Sequence, residues 1–120
     1  MFNNIYKNKK VLVTGHTGFK GTWLVTWLLK LGANVVGISK DLPTQPSMFE
    51  VLGVQDKISY YQEDIRDLDK MTEIVAYEKP DFLFHLAAQA IVSTSYTNPI
   101  ETITSNVIGT TNILEALRES

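Results

Sequence analysis

The sequence predicts an α/β fold in which helices cover both faces of a parallel sheet. Short runs of β-branched and aliphatic residues alternate with longer stretches whose apolar residues recur at helical spacing. Glycines and prolines separate these segments, as is typical of connecting turns. At 120 residues, with 44% hydrophobic and 20% charged residues, the chain has the length and composition of about one globular domain.

The first strand and first helix are predicted on either side of a glycine-rich loop. The run Lys10–Thr14 is aliphatic and ends at Gly15, which indicates a buried strand. A helix is predicted after the loop, with Gly32 at its end. Its apolar face carries Phe19, Trp23, Leu24, Trp27, Leu28 and Leu31. We expect the two tryptophans to pack against the sheet as core residues.

The middle of the chain alternates in the same way. Strands are predicted over residues 35–38 and 58–61, with a proline-containing loop at 41–46 and a brief helix at 47–52 between them. Asp67 is a natural N-cap for the next helix, which Pro80 ends. The apolar stripe of that helix is Leu68, Met71, Ile74 and Val75.

The last two elements complete the pattern. Residues 82–87 form a continuous apolar run, typical of a central parallel strand that is covered on both faces. Asn98 and Pro99 then begin a helix, with proline at its favoured first position. We expect the core-facing stripe of this helix to be Ile100, Ile103, Val107, Leu114 and Leu117. About four strands are predicted, and ligands of such sheets bind at the carboxyl ends of the strands.

Composition narrows the class of partner. The net charge of −2 argues against nucleic acid, because phosphate backbones are bound by basic faces. The chain has no cysteine, which excludes a disulfide scaffold and a thiolate metal site, and we expect no metal. The N-terminus lacks the apolar region of a secretory signal, and the most apolar stretch is too short to span a membrane. A cytoplasmic protein is expected.

The loop after the first strand predicts a Rossmann-type dinucleotide site. Gly15, Gly18 and Gly21 have the spacing G-x-x-G-x-x-G between a strand and a helix. The first glycine permits the turn, the second lets backbone approach the pyrophosphate, and the third lets helix and strand pack closely. The pyrophosphate is expected on the helix N-terminus. The chain contains no Gly-Lys-Ser/Thr triplet, which excludes a Walker A loop. The predicted contact residues are Gly15, His16, Thr17, Gly18, Phe19, Lys20 and Gly21, and the His16 side chain is expected to face the phosphates.

The residue that would recognise the adenosine ribose is ambiguous. An acidic residue usually ends the second strand, but here Ser39 takes that position and Lys40 follows it. Asp41 in the loop would favour NAD, whereas Lys40 would favour the 2′-phosphate of NADP. A third interpretation makes both of them solvated loop charges. His85 in the fourth strand is expected to be a packed strand residue.

Four motifs together resemble the extended short-chain dehydrogenase/reductase superfamily. They are the glycine spacing, Asp-Ile-Arg-Asp at 64–67, His-Leu-Ala-Ala-Gln at 85–89 and Asn-Val-Ile-Gly-Thr at 106–110. Within that superfamily, residues 15–24 and the Pro-Thr-x-Pro-Ser-x-Phe-Glu segment at 43–50 look most like the CDP-glucose 4,6-dehydratases. The resemblance covers the chain from Lys10 onward.

The resemblance implies a bound NAD, with NADP less favoured, and assigns roles to individual residues. Asp64 would accept a hydrogen bond from the adenine amino group, and Ile65 would pack against the ring. Three residues would lie beneath the riboses, namely Leu86, Ala87 and Ala88. Gln89 would face the substrate, and Asn106 would bond backbone and steady the fourth strand. The sequence departs from the family pattern at Ala90 and Ser93, where proline and arginine are usual.

The resemblance also implies an activity. Such enzymes are lyases of deoxysugar biosynthesis that convert a nucleotide sugar, here CDP-glucose, to its 4-keto-6-deoxy product by an internal hydride cycle, and they act as homodimers. The alternatives are an epimerase, a GDP-mannose-type dehydratase, or a non-catalytic NAD(P)-binding regulator. The catalytic Tyr-x-x-x-Lys of the superfamily is not found, because the one such spacing, Tyr6 and Lys10, lies at the very start of the first strand. We therefore expect residues 1–120 to be the N-terminal part of the NAD(P)-binding domain, without catalytic residues, the remaining strands or the substrate domain. This piece is expected to bind nucleotide weakly without turnover.

Overall fold

A computed structural model describes residues 4–17, 19–40, 57–87 and 96–119. The predicted helix at 47–52 lies outside these ranges. The described elements, in chain order, are β1 Lys10–Thr14, α1 Phe19–Lys30, β2 Asn34–Ser39, β3 Ser59–Gln62, α2 Leu68–Glu78, β4 Phe82–His85, α3 Pro99–Ile103, a π-helical turn at Thr104–Ile108, and α4 Gly109–Glu119. Among these, no helix has the length and apolar character needed to cross a membrane.

The four strands form one parallel sheet in the order β3-β2-β1-β4. Thr14 at the end of β1 pairs with Ile38 of β2 on one side and with His85 of β4 on the other. The chain moves away from β1 in opposite directions to reach β2 and β4, so the topological switch point lies beside the end of β1. The predicted Rossmann-type sheet is confirmed.

Side chains of β1 alternate between two hydrophobic cores. Leu12 packs with residues of α2 and α4 on one face, in a cluster that includes Met71 and Ile113. Val11 and Val13 point to the other face, where α1 covers them. The described sheet therefore carries helices on both faces, as predicted.

Helix α1 buries only part of the predicted face. Trp23 and Trp27 are 54% and 48% exposed, whereas Val25 and Leu28 lie in the core. The buried face begins at Gly21, and its small side chains allow α1 to approach the sheet closely. The prediction that the tryptophans are core residues is wrong, because apolar residues surround most of this helix and spacing alone does not select a face.

Helix α2 agrees closely with the prediction. The carboxylate of Asp67 caps it by accepting a hydrogen bond from the Lys70 backbone N–H at 3.2 Å. Met71 lies in the core. The helix ends one residue earlier than Pro80 requires, because Lys79 adopts a left-handed φ of 47° and its N–H bonds the Val75 carbonyl.

Asn98 and Pro99 begin the last helical segment as predicted, and Asn98 accepts a hydrogen bond from the Glu101 N–H. The predicted core stripe, however, faces outward in the described structure. Its members Ile100, Ile103, Val107, Leu114 and Leu117 are all exposed, while Gly109, Asn112, Ile113 and Ala116 are buried. The π-helical turn accounts for part of the error, because each added residue rotates the following helix by ~100°.

Strand β4 contacts both cores, as predicted, with Leu83 on one face and Phe82 and Phe84 on the other, but it is only half-buried. All four of its residues have intermediate exposure, and it lies at the end of the described sheet, paired with β1 alone. Its apolar composition led to the prediction of a central strand.

Candidate functional site

Gly15 brings the loop after β1 into contact with the end of β4. Its φ is +77°, a conformation that side chains with a Cβ rarely adopt. A Cβ at this position would lie 2.7 Å from the Ala87 nitrogen and 2.8 Å from the Leu86 carbonyl carbon. The Gly15 N–H donates to the Ile38 carbonyl at 2.7 Å, which ties the loop to β2 as well. Glycine is therefore required here both for backbone conformation and for space.

Gly21 lets helix α1 begin directly against this loop. A Cβ at Gly21 would overlap the Gly15 carbonyl oxygen and lie 3.0 Å from the His16 Cα. The Thr22 hydroxyl donates to the His16 carbonyl at 3.0 Å and fixes the same approach. The first turn of α1 contains no acidic residue, so its positive dipole end is not compensated by a carboxylate from that turn. The exposed Lys20 adds a positive charge, and the arrangement favours an anion.

The His16 side chain does not face this anion position. It is 1% exposed and lies over Gly37 of β2, where a Cβ would approach its Nδ1 to 2.5 Å. Its ring centroid is 5.7 Å from that of Tyr60 in β3. Burial lowers the pKa of His16 to about 4, and a hydrogen bond with the Ile38 backbone opposes this in part. The sequence interpretation directs this imidazole towards the phosphates; in this structure it instead fills the space that Gly37 leaves beneath the loop.

Thr17 connects the loop to the end of β2. Its hydroxyl oxygen lies 2.6 Å from the Ser39 hydroxyl, and either group can be the donor. Ser39 is the residue that replaces the usual acidic group at the strand end. Its carbonyl accepts from the Glu63 N–H at 3.1 Å, which continues the contact to the end of β3. The predicted phosphate loop and the predicted ribose position are thus joined by direct hydrogen bonds.

Asp64 is held by its neighbour Arg66, a partner that the sequence interpretation did not identify. The guanidinium donates from Nη2 to Oδ2 at 2.6 Å and from Nε to Oδ1 at 3.1 Å, and the Arg66 backbone N–H also donates to Oδ1 at 2.9 Å. These hydrogen bonds hold the pKa of Asp64 below its ordinary value. The carboxylate is fixed and ionised, and an adenine amino group would share oxygens that already accept from Arg66.

Ile65 is a core residue in this structure rather than an exposed platform for a ring. It is 7% exposed, and a Cβ on Gly109 would overlap its side chain. The Asn112 side chain donates to the Ile65 carbonyl at 3.0 Å from a buried position. That Ile65 packs against adenine stays a prediction; in this structure the absence of a side chain at Gly109 opens a slot in α4 that receives the Ile65 side chain.

A cavity of about 560 Å³ opens beside this segment. Two cations at its wall are each near a carboxylate: Arg66 bonds Asp64, and the Lys40 Nζ lies 4.0 Å from Glu101. Thr104 accepts a long hydrogen bond from Arg66 at 3.4 Å. The lining residues are Lys40, Arg66, Asn98, Ile100, Glu101, Thr104 and Ile108. The depression is open to solvent, and its lining mixes apolar and charged groups.

The remaining expected residues divide into two groups. Leu86 and Ala87 follow β4 at the edge where Gly15 lies, and Leu86 is 41% exposed. Asn106 lies in the π-helical turn, where its carbonyl accepts from the Thr110 hydroxyl at 2.7 Å. Five expected positions lie outside the described residues or have no described side chain: Gly18, Phe19, Asp41, Ala88 and Gln89. Within the described part, loop, helix N-terminus and strand ends converge on one edge of the sheet.

Comparisons with known proteins agree with this geometry. A family model described as GDP-mannose 4,6 dehydratase matches residues 12–120. CDP-glucose 4,6-dehydratase of Salmonella typhimurium is 47% identical over 116 residues, a match that covers 97% of this chain and 32% of that relative. The solved UDP-glucose 4-epimerase of Thermus thermophilus in complex with NAD aligns with a TM-score of 0.80 and 33% identity, covering 92% of this chain and 34% of that one.

An epimerase from Methanothermobacter thermautotrophicus gives a TM-score of 0.82 at 31% identity, over 96% of this chain and 33% of that one. The chain thus spans about a third of the length of the curated relatives that it matches.

Proposed function

Since the chain belongs to the GDP-mannose 4,6-dehydratase family, we propose that it forms the NAD-binding part of a nucleotide-sugar dehydratase. The observation that carries this proposal is the close approach of Gly15 to the Leu86–Ala87 backbone, directly before the N-terminus of α1. The N-terminus of α1, whose first turn carries no acidic residue, then lies at the topological switch point, where dinucleotides bind to sheets of this kind.

The described residues suit such a ligand. The loop from Gly15 and the start of α1 would hold the pyrophosphate through backbone N–H groups, including that of His16. The segment at Ser39 and Lys40 and the cavity beside Arg66 would receive the adenosine end, with Asp64 as the proposed acceptor for adenine. Leu86 and Ala87 would lie beneath the ribose. When bound, NAD supplies a hydride acceptor and donor, and the protein supplies orientation and electrostatics.

NAD is proposed in preference to NADP because each of the two cations of the cavity lies near its own carboxylate. A 2′-phosphate would have to displace Glu101 from Lys40, or Asp64 from Arg66, before either cation could bind it. NAD carries no such phosphate. Solved relatives described as NAD complexes support the same choice.

Titration of the chain with NAD and NADP by calorimetry tests the proposal. Gly15→Ala places a Cβ against Ala87 and strains a φ of +77°, so we expect NAD affinity to fall about tenfold or more. Gly32→Ala is the matched control: it strains a similar φ of +85° at the far end of α1, against Lys7. We expect that control to leave NAD affinity within about twofold. Equal losses in the two variants, or no NAD binding by the parent chain, would contradict the site.

The substrate of the whole protein is proposed to be CDP-glucose. The Salmonella typhimurium relative named CDP-glucose 4,6-dehydratase supports this choice, as does the segment at 43–50. An epimerase is the second candidate, because solved relatives are described as UDP-glucose 4-epimerases. Incubating the full-length protein with CDP-, GDP- and UDP-sugars distinguishes them: a dehydratase forms a 4-keto-6-deoxy sugar, whereas an epimerase forms a C4 epimer. Residues 1–120 alone are proposed to bind nucleotide without turnover, and product formation by this chain would refute that.

A further inference from the structure

A chain of hydrogen bonds joins the ends of β1 and β4 to the start of α4. The Thr14 hydroxyl oxygen, fully buried at the end of β1, lies 2.6 Å from Nδ1 of His85 at the end of β4. The other ring nitrogen of His85, Nε2, lies 2.9 Å from the Thr110 hydroxyl oxygen. Thr110 in turn donates to the Asn106 carbonyl at 2.7 Å. The imidazole is therefore bound at both nitrogens by hydroxyl groups from two different elements.

The partners of the two hydroxyl groups fix the protons of the ring. The Thr14 oxygen accepts from the backbone N–H groups of Leu86 at 3.1 Å and Ala87 at 3.2 Å, and Leu86 shares its hydrogen with the Thr14 carbonyl. The Thr14 hydroxyl proton is then directed to Nδ1 of His85, which must be an unprotonated acceptor. Because the Thr110 proton goes to Asn106, its oxygen accepts from His85, and Nε2 carries the hydrogen. One neutral tautomer of His85 satisfies every donor and acceptor in this hydrogen-bond network.

The contacts of Gly15 connect this network to the candidate site. The Gly15 backbone lies against the Leu86–Ala87 segment, so the position of that segment sets the space available to the loop. Both N–H groups of the segment bond the Thr14 hydroxyl oxygen, and the direction of that hydroxyl depends on His85. A change at His85 would therefore reach the loop through Thr14.

We propose that His85, as the neutral Nε2–H tautomer, is a positioning residue that holds the Leu86–Ala87 segment at the distance from Gly15 that a bound dinucleotide requires. The effect of His85 on dinucleotide binding rests on the proposed function, whereas its effect on the position of the Leu86–Ala87 segment does not. His85 makes no contact with the dinucleotide in this role; it acts through Thr14.

The surroundings of the ring agree with this assignment. His85 is half-buried between β1 and α4, and burial lowers its pKa, which favours the neutral ring at neutral pH. An imidazolium would present a second N–H to Thr14, whose oxygen already accepts two hydrogens, and the hydrogen bonds to Leu86 and Ala87 would weaken.

Nitrogen-15 NMR of the histidine rings tests the tautomer without any ligand. The chain has two histidines, and a His16→Asn variant assigns the signals of His85. We expect an unprotonated Nδ1 and a protonated Nε2 for His85 at neutral pH. The opposite tautomer, or an imidazolium, would overturn the proposal whether or not the chain binds NAD.

Two isosteric variants test the link to the site. His85→Asn places an amide oxygen near the Nδ1 position, and His85→Gln places an amide group near Nε2 instead. We expect His85→Asn to keep NAD affinity within about threefold, and its Leu86 and Ala87 amides to exchange with solvent as slowly as before. We expect His85→Gln to lose about tenfold in NAD affinity, and both amides to exchange faster. As a second expected result, Thr14→Val loses NAD affinity to about the same extent as His85→Gln. Thr14→Ser, which keeps the hydroxyl group, retains that affinity. Equal behaviour of the Asn and Gln variants would refute the role of Nδ1. If the parent chain fails to bind NAD, amide exchange and the tautomer still decide the positioning role.

Discussion

The imidazole of His16 is packed beneath the loop to which it belongs, and this position determines when it carries a proton. Its pKa is lowered from 6.5 to about 4, chiefly by burial, so the folded chain binds this proton less readily than the unfolded chain. The stabilisation that results is fully present above pH 6.5 and is lost as the pH falls from 6.5 towards 4.

We expect the free energy of unfolding to fall by about 3 kcal/mol across this window, because the pKa of His16 is lowered from 6.5 to about 4 on folding. Urea denaturation between pH 7 and pH 4 measures it. His16→Asn should remove most of the slope; His85, Asp64 and Glu78, whose pKa values are also lowered, contribute in the same direction. An unchanged slope in that variant would mean that His16 is not the group that titrates.

At this scale the backbone roles could be predicted from the sequence, and the side-chain directions could not. Gly15 and Gly21 serve the turn and the close packing of helix and loop that their spacing predicts, because these are local backbone requirements. The direction of His16 depends on the absence of a side chain at Gly37, and that of Ile65 depends on Gly109, 44 residues later in the numbering. Such spaces arise only when distant segments pack together.

The same contrast holds for the elements. The bounds of β1 and the cap of α2 follow from local sequence, and both predictions are confirmed. The buried face of α4 and the tryptophan side of α1 were predicted wrongly, because each helix offers two apolar faces and the one with smaller residues is buried. In α4 this face contains Gly109 and Ala116, while Leu114 is 63% exposed. Close approach outweighs the size of the apolar side chain at these two interfaces.

Gly109→Ala tests that close approach. Alanine should favour the helix by about 1 kcal/mol, but its Cβ would overlap the buried Ile65 side chain, at a typical overpacking cost of about 1–3 kcal/mol. We expect the single substitution to destabilise the chain and to become stabilising in an Ile65→Ala background. Urea denaturation of the four proteins of this double-mutant cycle measures the change of sign. Additive effects would show that the two residues do not compete for the same space.

At the scale of the whole molecule, the exposed stripe of the last helical segment is the largest departure from the predicted core. Ile100, Ile103, Val107 and Leu114 are each more than half exposed, although their spacing predicts a buried stripe. The homodimer that the sequence resemblance implies would cover these side chains with a second copy of the chain, and this pairing stays a prediction.

Sedimentation velocity over a range of concentrations tests this pairing. We expect a reversible dimer, which Val107→Glu should shift towards monomer by placing a charge in the apolar contact. Tyr77→Glu is the matched control, because Tyr77 is 77% exposed on α2, outside the stripe. A monomer at every concentration, or equal dissociation in the two variants, would count against it.

The position of β1 between β2 and β4 has a consequence for the order of events during synthesis. Thr14 and His85 are partners in the sheet, yet 71 residues separate them along the chain. At about 5–20 residues per second, a ribosome needs roughly 4–14 s to complete β4 after β1. During that interval one edge of β1 has no β4 to bond, and the wall that Gly15 rests against does not exist. The glycine-rich loop is thus made before the strand that it rests against, and it can take its final shape only after β4 has been synthesised.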